Sequence, residues 1–133
     1  MKVKLLGPPA LAAAFLLLVS VPISAHHGAA SYDTKSTTLK GTVTSVRWMN
    51  PHAEIDIAVN DTTGKAQKYI VESVSPLALS RRDWTKSTLK PGDQITVTGN
   101  LSKNSTQILR LKKIVFPTGK ELTIQNGEDY ASQ

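Results

Sequence analysis

The chain contains no cysteine, which excludes disulfide bonds, thiolate metal ligands and a cysteine nucleophile. Aromatic residues make up only 5% of the 133 residues, so most of any core must be aliphatic. The sequence also lacks a glycine-rich phosphate loop and the Gly-x-Ser-x-Gly context of serine hydrolases. Glu54 and Glu72 could form a glycosidase-like pair, but charged residues on an outer strand face are usually solvated. We therefore expect no enzyme activity and assign no catalytic residue.

The N-terminus has the pattern of a secretory signal peptide. Two lysines precede residues 5–23, which are almost wholly apolar, and the small residues Ser24 and Ala25 come before polar sequence. We predict a signal peptide at residues 1–25, cut after Ala25, and a periplasmic or secreted protein without a stable membrane anchor. The alternative is an uncleaved anchor, which needs about 20 apolar residues, and a Gly-Pro-Pro sequence interrupts this segment. Removing the two leader lysines leaves 14 basic and 10 acidic residues, a net charge of +4.

The rest of the chain divides into three parts. Residues 26–37 are polar and without periodicity, which is typical of a flexible N-terminal arm. From residue 38, apolar and polar residues alternate, as they do in strands with one buried face. We predict a β domain over residues 38–125 and a C-terminal tail over residues 126–133.

The β domain is predicted to contain five strands and a short sixth one. They cover residues 38–49, 53–60, 66–74, 94–99, 108–116 and 121–124. The apolar face switches after Val43 in the first strand and between Leu111 and Ile114 in the fifth, which indicates a bulge in each. Ser75 and Pro76 favour a helix start. The fold class is therefore mostly β, a small five- to six-stranded OB-like antiparallel barrel with one short helix between strands 3 and 4. The alternative is a β-sandwich fragment.

Several short sequence segments resemble a known family. They are His26-His27-Gly28, Leu39-Lys40-Gly41-Thr42-Val43, Trp48-x-Asn50-Pro51-His52, Glu72-x-x-Ser75-Pro76-x-x-Leu79, Trp84 and Leu89-Lys90-Pro91-Gly92-Asp93. In combination they are similar to the domain of unknown function 6152 family of bacterial exported proteins. This resemblance covers nearly all of the chain after residue 25. It implies export and a small β domain, and it implies no activity, substrate or catalytic residue.

The three histidines suggest a metal site. Cleavage after Ala25 would give His26 a free α-amine, and amine and imidazole nitrogens together suit Cu(II). His27 or His52 could add a ligand, and three imidazoles would also suit Zn(II). Glu54 and Asp56 share a strand face with His52 and could orient its ring. Against this hypothesis, His52 could simply lie in a turn, and the two carboxylates could pair with Lys68 or Lys112 across strands.

A different hypothesis is ligand binding on the barrel face. OB domains use aromatic and basic residues for this purpose, and Arg47, Trp48 and Tyr69 are the side chains we assign to it. The alternative is that the aromatic residues fill the core. Because we expect export, we predict a glycan, peptide or protein partner and consider nucleic acid unlikely. The overall prediction is a non-catalytic binding or accessory module.

Overall fold

The computed structural model describes residues 29–124 of the chain. After a 3₁₀ turn at Ala29–Ser31, six strands and one helix follow in chain order: β1 (Tyr32–Arg47), β2 (Glu54–Asn60), β3 (Ala66–Glu72), α1 (Pro76–Ser80), β4 (Gln94–Ser102), β5 (Ile108–Val115) and β6 (Glu121–Thr123). Within these residues no helix is long and apolar enough to span a bilayer. The predicted signal peptide and C-terminal tail lie outside the described residues.

All six strands belong to one sheet in the order β3-β2-β1-β4-β5-β6. Neighbours in this order pair antiparallel, and β3 also pairs with β5 in parallel through Ile70↔Ile108, Val71↔Leu109 and Glu72↔Arg110. This additional pairing closes the sheet on itself, whereas a β-sandwich would need two separate sheets. The prediction of an OB-like barrel with a helix between strands 3 and 4 is therefore confirmed.

Both predicted bulges are present. The register between β1 and β2 shifts between Val43 and Ser45. In β5, Lys113 pairs with Thr98 and Leu111 pairs with Gly99, so Lys112 is the extra residue. A bulge bends and twists its strand, which allows one strand to follow the wall of a small barrel.

The barrel interior is filled by aliphatic side chains, as the sequence alternation predicts. Ile55, Ile57, Ile95 and Val97 are almost completely buried, and Val59 packs against them while partly exposed. Gly99 on β4 also faces the interior, where a Cβ would overlap the carbonyl oxygen of Arg110. The close approach of β4 and β5 therefore requires glycine at this position.

The helix and the turns have the predicted local chemistry. The Ser75 hydroxyl accepts a hydrogen bond from the backbone N–H of Ala78, and Pro76 opens α1. Such a cap satisfies one of the N–H groups that a helix start leaves without a partner. Gly64 and Gly92 adopt positive φ in the turns before β3 and β4, at 84° and 95°.

The boundary between the predicted arm and the first strand is wrong. Residues 32–37, assigned to a flexible arm, form the first part of β1 and pair with the end of β4 through Tyr32↔Ser102 and Ser36↔Asn100. Most of these residues are exposed, so their side chains show no alternation. Backbone hydrogen bonds to β4 hold the segment in place, and a side-chain pattern cannot reveal them.

Candidate functional site

A row of four charged residues crosses the outer face of the barrel, one from each of four adjacent strands. Arg47 is opposite Glu54, Glu54 is opposite Glu72, and Glu72 is opposite Arg110. We call these four residues the polar row. Arg47 donates from Nε, 2.9 Å from Glu54 Oε2, and its Nη2 also binds this oxygen. Strand register thus brings together charges that are distant in sequence.

Asp56 lies next to the polar row and is the most buried of the charged residues there. Its Oδ2 is 2.8 Å from Arg47 Nη1 and 2.8 Å from Lys68 Nζ, and the side chain is 6% exposed. The hydrogen bond from Arg47, with a further one from Lys68, lowers the pKa of Asp56 to about 2 against the opposing effect of burial. The same bonds to Asp56 and Glu54 raise the pKa of Arg47. The predicted cross-strand pair of Asp56 with Lys68 is confirmed, while Lys112 binds Ser36.

Glu72 is the meeting point of two further side chains. Its Oε2 accepts a hydrogen bond of 3.0 Å from the Tyr32 hydroxyl, and its Oε1 is 3.3 Å from His52 Nδ1. The Arg110 guanidinium lies 5.1 Å from the centre of the Tyr32 ring. Burial of the phenol, together with the adjacent Glu72 carboxylate, raises the pKa of Tyr32 to about 12. Tyr32 at the start of β1 therefore contacts both β3 and β5, next to the pairing that closes the barrel.

The charges around the polar row are largely used within the protein. Arg47 and Lys68 are bonded to Glu54 and Asp56, and Arg110 is opposite Glu72. A ligand binding here would have to replace these ion pairs, which costs free energy for each pair that is broken. The polar row therefore fits a structural role better than a ligand-binding one.

The predicted metal ligands are only partly covered by the structure. His26 and His27 lie outside the described residues. His52 is beside Glu72, whereas Glu54 and Asp56, expected to orient its ring, are bound by Arg47. Within residues 29–124, no group of three or more His, Asp or Glu side chains is close enough to hold a metal ion. Metal binding stays a prediction.

The three side chains assigned to a ligand-binding face do not share a surface. Arg47 is on the outer face, in the polar row. Tyr69 is opposite the buried Ile57 and packs against the core, as Trp48 does. Because successive side chains of a strand point to opposite faces, Tyr69 and Arg47 lie on different sides of the sheet. The ligand-binding role of this set stays a prediction without a common surface to support it.

A cavity of about 220 Å³ lies between the loop after α1 and the β5–β6 hairpin. We call it the Trp84 cavity; its lining residues are Arg82, Asp83, Trp84, Thr88, Lys90, Asp93, Phe116, Pro117, Thr118, Lys120 and Leu122. Trp84 and Phe116 pack edge to face, with ring centres 5.1 Å apart and an angle of 83° between the rings. This edge-to-face geometry is a favoured one for two aromatic rings, and it fixes both rings relative to each other beside the cavity.

Local backbone structure positions both sides of the cavity. Beyond α1 the chain turns through Asp83, whose φ of 58° lies in the left-handed region. Aspartate is one of the few non-glycine residues that adopt this conformation readily, and such a residue commonly ends a helix. The backbone N–H of Trp84 then donates a hydrogen bond of 3.1 Å to the carbonyl oxygen of Leu79. On the other side, the Phe116 N–H donates to Lys120 O at 2.9 Å and closes the hairpin.

Sequence reasoning missed this cavity, although its alternative of aromatic residues in the core applies to Trp84 and Phe116. Both are indeed buried, but each also contributes to the cavity wall. The two lining segments, residues 82–93 and 116–122, meet only because β4 pairs with β5. Ligands commonly bind at the mouth of a β-barrel. The predicted barrel fold was therefore the feature of the sequence analysis that could have indicated a site here.

The chain belongs to the family of unknown function DUF6152, whose model matches residues 13–109. This confirms the resemblance noted in the sequence. No curated protein sequence matched the chain.

Solved structures with a similar fold include two nucleic-acid-binding proteins. The mitochondrial single-stranded DNA-binding protein Rim1 from S. cerevisiae is 15% identical with a TM-score of 0.48, covering 70% of this chain and 99% of Rim1. TiaS, in its complex with a transfer RNA, AMPCPP and agmatine, is 23% identical with a TM-score of 0.45, covering 62% of this chain but only 18% of TiaS. The expectation that nucleic acid is an unlikely partner is therefore wrong: proteins of similar fold bind it, and expected export was not a sufficient reason to set it aside.

Proposed function

We propose that this protein is an exported, non-catalytic binding module that holds a small apolar molecule in the Trp84 cavity. The observation that carries the proposal is about 220 Å³ of space between two loops, with small parts of the buried Trp84 and Phe116 rings in its lining. An apolar protein cavity of roughly 150 Å³ is large enough to admit benzene. The Trp84 cavity is therefore of the right size for a one- or two-ring aromatic compound.

The cavity is better suited to binding than the polar row because its walls are apolar and rigid. Trp84 is 2% exposed and Phe116 8% exposed, so the core holds both rings in place and only a small part of each reaches the cavity. A ligand can then bury apolar surface without first ordering these side chains, which lowers the entropic cost of binding. The exported location follows the predicted signal peptide and is part of the proposal.

The experiment is a titration with a two-ring probe, 2-naphthoate, followed by ¹⁵N–¹H NMR. We expect shift changes concentrated in residues 82–93 and 116–122. A Thr118→Trp variant should block binding, because Thr118 is exposed and its replacement would fill the space at the mouth. Thr62→Trp, a change of an exposed threonine in the β2–β3 turn, is the matched control and should bind normally. Equal binding by the two variants, or shift changes elsewhere, would rule out the cavity as the site.

Metal binding is a second candidate function, favoured by the position of Glu72. Because Glu72 contacts both Tyr32 and His52, the start of β1 lies beside His52. His26 precedes Tyr32 by six residues, and six residues of extended chain reach roughly 20 Å. Cu(II), or Zn(II) with three imidazoles, could then be held by His26 with His27 or His52.

The metal proposal is tested by comparing two N-termini. Protein that begins at His26 should bind one Cu(II) tightly in a calorimetric titration. The same protein with one glycine added before His26 should bind at least tenfold more weakly, because the α-amine can no longer chelate with that ring. Equal affinities would exclude an amine–imidazole site, and a His52→Ala variant with unchanged affinity would exclude His52 as a ligand.

A further inference from the structure

The polar atoms around the Trp84 cavity give information about the ligand that the apolar walls do not. We propose that the occupant is an aromatic carboxylate, with its ring system in the cavity that Trp84 and Phe116 partly line and its carboxylate at the mouth beside Lys120. This inference rests on the proposed function, because it specifies the chemical class of the ligand for the same cavity.

The first argument is the charge at the mouth. Three cationic side chains, Arg82, Lys90 and Lys120, line the cavity, against two carboxylates, Asp83 and Asp93. Lys90 is paired with Asp93, at 3.3 Å between Nζ and Oδ1, so these two charges offset each other. The remaining charges sum to one positive, which a single ligand carboxylate would neutralise.

The second argument is the position of Lys120. It lies in the β5–β6 hairpin, where its carbonyl accepts from the Phe116 N–H at 2.9 Å, so its backbone is fixed next to Phe116. The side chain is exposed and lines the cavity. A lysine with its stem along apolar surface and its ammonium group in water is well placed to meet the charged end of an amphipathic ligand.

The test compares three probes of the same shape and different charge: 2-naphthoate, neutral 2-naphthalenemethanol and cationic 2-naphthylmethylammonium. We expect naphthoate to bind about tenfold more tightly than the alcohol, and the ammonium compound to bind most weakly. Binding of naphthoate should weaken as NaCl is raised, while binding of the alcohol should change little. Calorimetry or NMR titration on the full protein measures all three affinities.

Two variants assign the effect to residues. Lys120→Gln should reduce naphthoate affinity several-fold and leave the alcohol unaffected, and Lys65→Gln, an exposed lysine in the β2–β3 turn, is the matched control. Binding of the alcohol shows in each case that the variant is folded and the cavity intact.

The outcomes separate this inference from the proposed function. Equal affinity for naphthoate and the alcohol would overturn the carboxylate inference and leave an apolar binding site. Absence of binding by all three probes would overturn both. Selective naphthoate binding that persists unchanged in Lys120→Gln would also contradict the inference, because the carboxylate would then lie elsewhere.

Discussion

The stability of the barrel should depend on the ionisation of Asp56 below pH 4. In the folded protein Arg47 and Lys68 hold the pKa of Asp56 at about 2, against an ordinary value of 3.8. The side chain is only 6% exposed, so solvent screens these contacts little. Each unit of pKa difference corresponds to about 1.4 kcal/mol, so ionised Asp56 contributes about 2 kcal/mol to the free energy of unfolding.

The sign of the pH dependence follows from the lowered pKa. A group with a depressed folded-state pKa stabilises the protein fully above its unfolded-state pKa, and this stabilisation is lost as the pH falls through the folded-state value. Asp56→Asn resembles the protonated acid in shape, so it should lack this contribution at every pH. We expect it to be less stable than the natural protein by about 2 kcal/mol at pH 6 and by only a few tenths of a kcal/mol at pH 2.

Urea denaturation at a series of pH values, followed by circular dichroism, measures this difference directly. Glu121→Gln is the matched control, because Glu121 is also a strand carboxylate paired with a lysine, at 3.3 Å from Lys113, but its side chain is 57% exposed. Its removal should change stability by less than about 1 kcal/mol with little pH dependence. A gap between the natural protein and Asp56→Asn that stays constant from pH 6 to pH 2 would refute the argument.

Three further outcomes are expected. Gly99→Ala should destabilise the protein by about 3 kcal/mol in urea denaturation, because its Cβ would meet the Arg110 carbonyl; a loss under 1 kcal/mol would show that β4 and β5 can separate. Tyr32→Phe should remove a component near pH 12 from the ultraviolet titration of tyrosine, because Glu72 and burial raise the pKa of this phenol; an unchanged curve contradicts this assignment. Ser75→Ala should cost about 1 kcal/mol through loss of the helix cap, and equal stability would show that the cap is dispensable.

The parts of the fold that could be predicted are those specified by neighbouring residues. Ile55 and Ile57 alternate with Glu54 and Asp56 because β2 has one buried and one polar face, and this alternation is visible in the sequence. The cap at Ser75 is equally local. The start of β1 at Tyr32 was not predictable in the same way, because the segment up to residue 37 is mostly exposed and held by backbone pairing with β4.

The candidate sites were less predictable because they depend on register between distant strands. Glu72, which contacts His52, comes next to it only through the pairing of β2 with β3. Its neighbour Arg110 is brought there by the parallel pairing with β5, for which no sequence pattern exists. The Trp84 cavity also depends on pairing between strands, because the two loops that line it are brought together by the pairing of β4 with β5.

The pairing of β3 with β5, which closes the barrel, determines when this chain can reach its folded structure. Val71 needs Leu109 as a neighbour, and the residues at the beginning of β1 need partners as late as Ser102. A growing polypeptide that has not yet been synthesised through β5 therefore has exposed strand edges and an open interior. Such long-range pairing slows folding, because distant parts of the chain must meet before their contacts stabilise the fold. The barrel can therefore close only after β5 has been synthesised.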